Sequence, residues 1–300
     1  MTSRLLNTAV GTNRNAFAAY DWVLFVGLSA IWGSSFLFMA IGLDSFHPGL
    51  ITWLRVGFGA LVLSLVPKRA PRPVSNDDRS RMRLLAVIWV AVPLTIFPIA
   101  QQWVDSSIAG MLNGATPIFT AIIASILLRA LPGRLQIGGL LIGFAGMAAI
   151  ALSTSSGGTS AAIGVALILL ATIGYGASTN IVAPLHQAYG SLNVMSRVLN
   201  LGFLLVTPFG IYGLTQSSFS WPSLLAVLAV GALGTGLAFV MMGNLSGRVG
   251  PTRSSFITYL IPVVALILGV VFRDEVVTAV AVVGSALVIL GAFLASRREA

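Results

Sequence analysis

Apolar residues run through this chain in ten long stretches, separated by short polar connections. The pattern predicts helices over 22–41, 50–66, 84–104, 107–128, 135–152, 161–185, 192–212, 221–245, 254–272 and 276–295. Each is close to the roughly 20 apolar residues that cross a ~30 Å hydrocarbon core. The fourth stretch carries a second pattern inside the first. On a helix, Gly110, Asn113, Pro117, Thr120 and Ala124 share one face, while Ile118, Ile122, Ile123, Ile126 and Leu127 cover much of the rest. Asn and Thr facing lipid would leave polar groups unpaired, so this stripe is expected to face a cavity or a neighbouring helix. Pro117 removes a backbone donor and is expected to kink the helix.

The same order returns 145 residues later, in SSFITYLIPVVALILGVVF. Gly110 then falls on Ser255, Asn113 on Thr258, Pro117 on Pro262, Thr120 on Ala265 and Ala124 on Gly269; Gly139 falls on Gly284 and Gly146 on Gly291. The Ser/Gly run STSSGGTS, 153–160, reads as a linker between two halves of five spans, 22–152 and 161–296, with short tails at 1–21 and 297–300. Five crossings per half put the second half into the membrane from the opposite side. The expected architecture is an all-α polytopic membrane protein, ten transmembrane helices arranged as two inverted five-helix repeats around a central cavity.

Composition supports this reading. The chain is 57% hydrophobic and 8% charged, with a mean hydropathy of +0.96, against about 25% charged in soluble domains. The net charge of +9 is not a nucleic-acid footprint, because the basic residues flank apolar stretches. With the N-terminus in the cytoplasm, Arg4, Arg14, Lys68, Arg69, Arg72, Arg79, Arg81, Arg83, Arg129, Arg134, Arg248, Arg253, Arg297 and Arg298 lie inside and only Arg273 lies outside. Both termini are therefore expected in the cytoplasm and the linker outside. Residues 1–20 lack the apolar core of a cleavable signal. Arginine outnumbers lysine sixteen to one, a composition of GC-rich bacterial genomes; a bacterial inner membrane is the expected location. The absence of cysteine removes disulfides, thiolate chemistry and Cys-ligated metals, and no cofactor is implied.

Candidate substrate contacts are the polar and aromatic residues inside spans: Trp32, Phe97, Gln101, Asn113, Thr116, Thr120, Tyr175, Asn180, Thr258 and Tyr259. Trp32 and Tyr175 lie too deep for an interfacial belt and suit an aromatic wall. Gln101 and Asn180 offer groups for an amino or carboxyl end. For each, hydrogen bonding or packing between helices is the plain alternative. Arg55 and Arg197 read as side chains that snorkel to headgroups or pair with backbone carbonyls, with attraction of a substrate carboxylate as the lesser role. Gly139, Gly143, Gly146, Gly284 and Gly291 permit close helix approach, within the chain or in a homodimer; monomer and dimer stay equally open. No Asp or Glu occupies a span, and His47 and His186 sit at span ends, which argues against a carboxylate proton relay and against a buried counter-charge for cationic drugs.

WVDSSIAGMLNGATPIFTAIIA at 103–124 and RVGPTRSSFITYLIPVVALILGVVFRDE at 248–275 resemble the fourth- and ninth-helix motifs of the EamA family of the drug/metabolite transporter superfamily. IWGSSF at 31–36 and Arg55 fit the same resemblance, which covers nearly the whole chain. It implies ten helices in two inverted halves and export of amino acids or related metabolites. The chain is similar to the YddG-type aromatic amino-acid exporters within that family. The expectation is a secondary transporter for a small-molecule substrate, working by alternating access. A multidrug or a nucleotide-sugar or organophosphate carrier of the same superfamily is the alternative, and an intramembrane enzyme the remote one, since no span holds the paired acids, Ser–His pair or metal cluster such chemistry needs.

Overall fold

A computed structural model describes residues 18–67, 73–128, 133–153, 158–249 and 257–295. Arg4, Arg14, Lys68, Arg69, Arg72, Arg129, Arg253, Arg297 and Arg298, the middle of the linker and the first residues of the ninth stretch lie outside them. The described residues form ten helical passes. They are α1 Ala19–Leu43, α2 Pro48–Leu65, α3 Asn76–Ala100, α4 in two pieces (Ser106–Asn113 and Thr116–Leu128), α5 Arg134–Ser153, α6 Gly158–Tyr189, α7 Ser191–Thr215, α8 at 221–249, α9 Ile257–Arg273 and α10 Ala279–Ala295. Eight are long and apolar enough to cross a membrane; α9 and α10, 17 residues each, stand at the short end of the range. Large apolar side chains such as Leu65, Ile126, Leu152, Val271 and Val283 are exposed around the bundle, where a bilayer solvates them.

Local chemistry sets several boundaries. His47 caps α2, its Nδ1 accepting from Gly49 N at 3.1 Å, with Pro48 in the first turn, where its missing donor costs nothing. Ser75 caps α3 nine residues before the apolar stretch begins, so the helix starts earlier than hydropathy alone marks it. The predicted kink of α4 is a break at Gly114–Ala115, and Pro117 stands in the first turn of the second piece rather than in a helix interior. Gln101, expected inside the third span, lies one residue beyond the end of α3.

The helix pairings are symmetric under exchange of the halves. The partners α5 and α10, α2 and α7, and α4 and α9 each occupy equivalent positions in the two halves; α1 packs on α9 as α6 packs on α4, and α3 on α6 as α8 on α1. α3 widens into a π-helical turn at Ala86–Ala91, and α8 does so at Val230–Leu237, in register with the 145-residue offset of the sequence. Contacts between helix ends agree with alternate threading. On the face holding the start of α1, Asp21 pairs with Arg248 at the end of α8, and Tyr189 at the end of α6 donates to Asp78 at the start of α3. On the opposite face, Arg273 at the end of α9 pairs with Asp44 after α1, and the Ser217 hydroxyl after α7 accepts from His47 N before α2. The first half thus begins on one face and the second on the other.

α5 and α10 meet backbone to backbone. A Cβ on Gly146 would stand 2.6 Å from the Gly284 carbonyl oxygen, and one on Gly291 would stand 2.6 Å from that of Gly139. Those glycines serve packing within one chain, which removes the motif that had left a dimer open.

Candidate functional site

The interior polar and aromatic residues converge on the widened turn of α8. The Trp32 indole on α1 donates to the Gly234 carbonyl at 2.9 Å. One residue on, the Thr235 hydroxyl donates to the Val230 carbonyl at 3.2 Å, which leaves its oxygen free to accept from Arg55 Nε of α2 at 3.1 Å. Arg55 Nη1 also reaches the Met39 sulfur at 3.2 Å, a weak acceptor. Tyr175 of α6 lies within electrostatic reach of this guanidinium. Its ring stacks on Phe97 of α3, with centroids 5.8 Å apart, and Phe97 meets Phe36 of α1 edge to face at 5.5 Å. Tyr175 itself is half-buried.

Gln101 extends this cluster toward the opposite face. Its amide nitrogen donates to the Phe36 carbonyl at 3.0 Å, while its Oε1 is buried with no hydrogen-bond partner among the described residues. The Asn113 Oδ1, at the break of α4, is buried and unpartnered in the same way. A buried acceptor without a donor costs about 1–3 kcal/mol, and two of them beside an aromatic wall suit a site that a ligand donor completes.

The other predicted residues divide differently. The Thr116 hydroxyl donates to the Asn113 carbonyl at 2.7 Å and Thr120 to the Thr116 carbonyl at 2.9 Å, both inside the broken helix. Asn180 donates to the Thr120 carbonyl at 3.2 Å and to Gly176 at 2.9 Å, tying α6 to α4. In all three, these donor hydrogens serve bonds within or between helices. Tyr259 sets its ring against Phe293 of α10, centroids 6.3 Å apart, and Thr258 is half-buried beside it. Trp32, Phe97, Gln101 and Tyr175 therefore belong to one connected cluster, with Asn113 at the helix break.

Arg55 is a correction. It neither snorkels nor pairs with backbone carbonyls: it is 7% exposed and held by a hydroxyl and a thioether. Proximity to the end of α2 misled the reading, because α8 covers that end. Gly59 lies so close to α8 that an added Cβ would stand 2.8 Å from Thr235 Cγ2. Thr235 is absent from the predicted contacts, though it stands in the glycine-rich run VGALGTGL.

On the opposite face, charged side chains at the end of α9 link it to neighbouring helix ends. Glu275 accepts from Ser106 N at 2.9 Å, Ser106 Oγ at 2.6 Å and Ser107 N at 2.8 Å, so a carboxylate arriving from the end of α9 caps α4. Asp105, in the N-cap position, makes no side-chain cap bond there. Burial first, and then the Glu275 charge, hold its carboxyl above the usual carboxylate range. Asp274, at φ 51°, makes the tight turn that sends Arg273 to Asp44 and Glu275 to α4. An apolar groove of 340 Å³ between α3 and α7, lined by residues such as Val92, Thr95, Leu205 and Phe209, lies apart from the predicted contacts.

Comparison with known proteins fits this geometry. The chain is 27% identical to a probable terminal-alkyne amino-acid exporter of Streptantibioticus cattleyicolor, over 89% of this chain and 90% of that one. It is 27% identical to the uncharacterized inner membrane transporter YedA of Escherichia coli, over 84% and 83% of the two chains. An uncharacterized transporter of Archaeoglobus fulgidus is 22% identical over 93% and 99%. A crystal structure 15% identical shares the fold, with a TM-score of 0.59 over 93% of this chain and 98% of that one. The EamA-like transporter family matches residues 21–152 and 162–297, one match for each half. A multi-pass membrane transporter, and not an intramembrane enzyme, is what these matches and the bundle describe: the chain belongs to the EamA-like transporter family.

Proposed function

We propose that this protein exports neutral amino acids, aromatic ones among them, or closely related metabolites, by alternating access. The observation that carries the reading is the pairing of the stacked Phe97 and Tyr175 rings with the unpartnered Gln101 Oε1 in one interior cluster. An ammonium donor would satisfy the buried amide oxygens, and flat aromatic walls would take an apolar or aromatic side chain. The amino-acid cargo named for the Streptantibioticus relative supports this class, and a YddG-type aromatic amino-acid exporter is the finer form of the proposal.

The two halves rock around the chamber, one face closing as the other opens. The ties of Glu275 and Arg273 belong to the closed state of the opposite face. Arg79, Arg81, Arg83, Arg134 and Arg248 lie at helix ends on the face that holds the start of α1, which supports a cytoplasmic N-terminus in a bacterial inner membrane. On this reading 22–152 and 161–296 are the moving halves, joined by an external linker at 153–160, with cytoplasmic tails at 1–21 and 297–300.

Counterflow in proteoliposomes tests it. Vesicles preloaded with unlabelled phenylalanine should accumulate labelled phenylalanine, with competition by neutral amino acids and none by sugar phosphates or quaternary ammonium drugs. Flat traces for every aromatic and aliphatic amino acid, or competition by sugar phosphates alone, would overturn the assignment.

A further inference from the structure

Two charged side chains are buried among the described residues, Asp21 and Arg55, and they are treated very differently. Asp21 faces Arg248 at 2.6 Å. Arg55 has no carboxylate partner among the described residues; its partners are Thr235 Oγ1 and Met39 Sδ, both neutral. A guanidinium carries five N–H donors and stays protonated at any physiological pH, so it cannot escape burial by neutralising. Two of its nitrogens are engaged, and Nη2 has no hydrogen-bond partner among the described residues. A buried cation left this incomplete is costly unless an anion joins it.

The surroundings hold the side chain rather than neutralise it. The Thr235 hydrogen is committed to the Val230 carbonyl, so its lone pair fixes Nε. Tyr175, beside the guanidinium, stacks on Phe97 and brings Arg55 into the aromatic cluster. The planar fork of a guanidinium matches the two oxygens of a carboxylate. A doubly charged phosphate calls for more than one cation, and no second buried cation accompanies Arg55 among the described residues.

We propose that Arg55 is the anion subsite of the chamber: its guanidinium takes the carboxylate of the cargo as a forked pair, with Thr235 of α8 and Met39 of α1 holding the side chain in place. This selects molecules carrying a single carboxylate and excludes the corresponding amides, amines and permanent cations. It builds on the amino-acid reading above, but extends to any monocarboxylate of suitable size.

The test is a thermal-shift panel on the purified full chain with L-phenylalanine, 3-phenylpropionate, L-phenylalaninamide, phenethylamine and phenyl phosphate. The first two should raise the melting temperature, while the amide and amine should need roughly 30-fold higher concentration or more for an equal shift. This comparison uses the native protein and requires no variant to fold. Arg55→Gln should erase the preference for acid over amide, and Arg55→Lys, which keeps the charge but not the fork, should retain part of it. Equal shifts from phenylalanine and its amide leave the amino-acid reading standing and overturn the subsite. Shifts from 3-phenylpropionate that depend on Arg55, with none from phenylalanine, support the subsite and overturn the amino-acid reading. Tighter binding of phenyl phosphate than of either carboxylate, an unchanged preference in both variants, or no shift from any compound also overturns the subsite.

Discussion

The two π turns occupy equivalent places in the two halves, yet they carry different loads. In α8 the turn at Val230–Leu237 accepts the Trp32 indole at Gly234 and holds Arg55 through Thr235. In α3 the turn at Ala86–Ala91 is apolar and packs on α7, where a Cβ on Gly202 would clash with Val90. Shifted by 145 residues, Thr235 corresponds to Val90 and Arg55 to Asn200, an exposed residue that donates to the Ser196 carbonyl at 2.6 Å. The backbone device is duplicated and the chemistry is not. A duplicated bundle suffices to build a chamber that opens to either side, whereas recognition of a cargo with distinct ends requires the halves to differ.

That contrast can be broken most severely at Thr235. Thr235→Val gives α8 the residue of its counterpart and strips from a buried charge its only oxygen partner among the described residues. It should cost about 2 kcal/mol of stability in thermal unfolding and lower transport at least about tenfold. The reverse change, Val90→Thr, should cost far less, since a helical threonine can bond its own preceding turn. Gly59→Ala and Gly202→Ala sharpen the same comparison. Each added methyl meets the facing π turn too closely and should cost about 1–3 kcal/mol, but only Gly59→Ala, which presses on Thr235, should weaken cargo binding. Equal loss of binding in both would mean that the two turns are functionally alike. Trp32→Phe, which removes the indole donor to Gly234, should cost about 1 kcal/mol with a modest change in transport.

The smallest effect belongs to Asp105. Its carboxyl titrates above the usual range, so the folded protein holds the proton more tightly than the unfolded chain does. Stability from this group is therefore fully present below the unfolded value and lost as pH rises through the folded one. Water screens its exposed side, so Asp105→Asn should gain only about 0.3 kcal/mol at neutral pH and nothing in acid. Melting temperatures of the two proteins across that range check the sign.

Much of this architecture was legible in the sequence because membrane burial leaves long apolar records. Ten stretches, the 145-residue repeat and the linker were enough to indicate a bundle of two halves, and the family match confirms the class. The aromatic candidates Trp32, Phe97 and Tyr175 could be read from depth alone. Arg55 could not, because its burial depends on α8, more than 170 residues away, packing over the end of α2. The orphaned amide oxygens of Gln101 and Asn113 are likewise set by neighbours that periodicity does not name. Glu275 looked like a loop charge, and only the meeting of α9 with α4 makes it a helix cap.

The account depends on the opposite face opening and closing during each transport cycle. The chain has no cysteine, so Asp44→Cys with Arg273→Cys places a single thiol pair across the closed face. Once a short bifunctional thiol reagent has joined them, counterflow should stop, and a cleavable linker should restore it on reduction. Undiminished transport in a fully cross-linked population would contradict alternating access through this face.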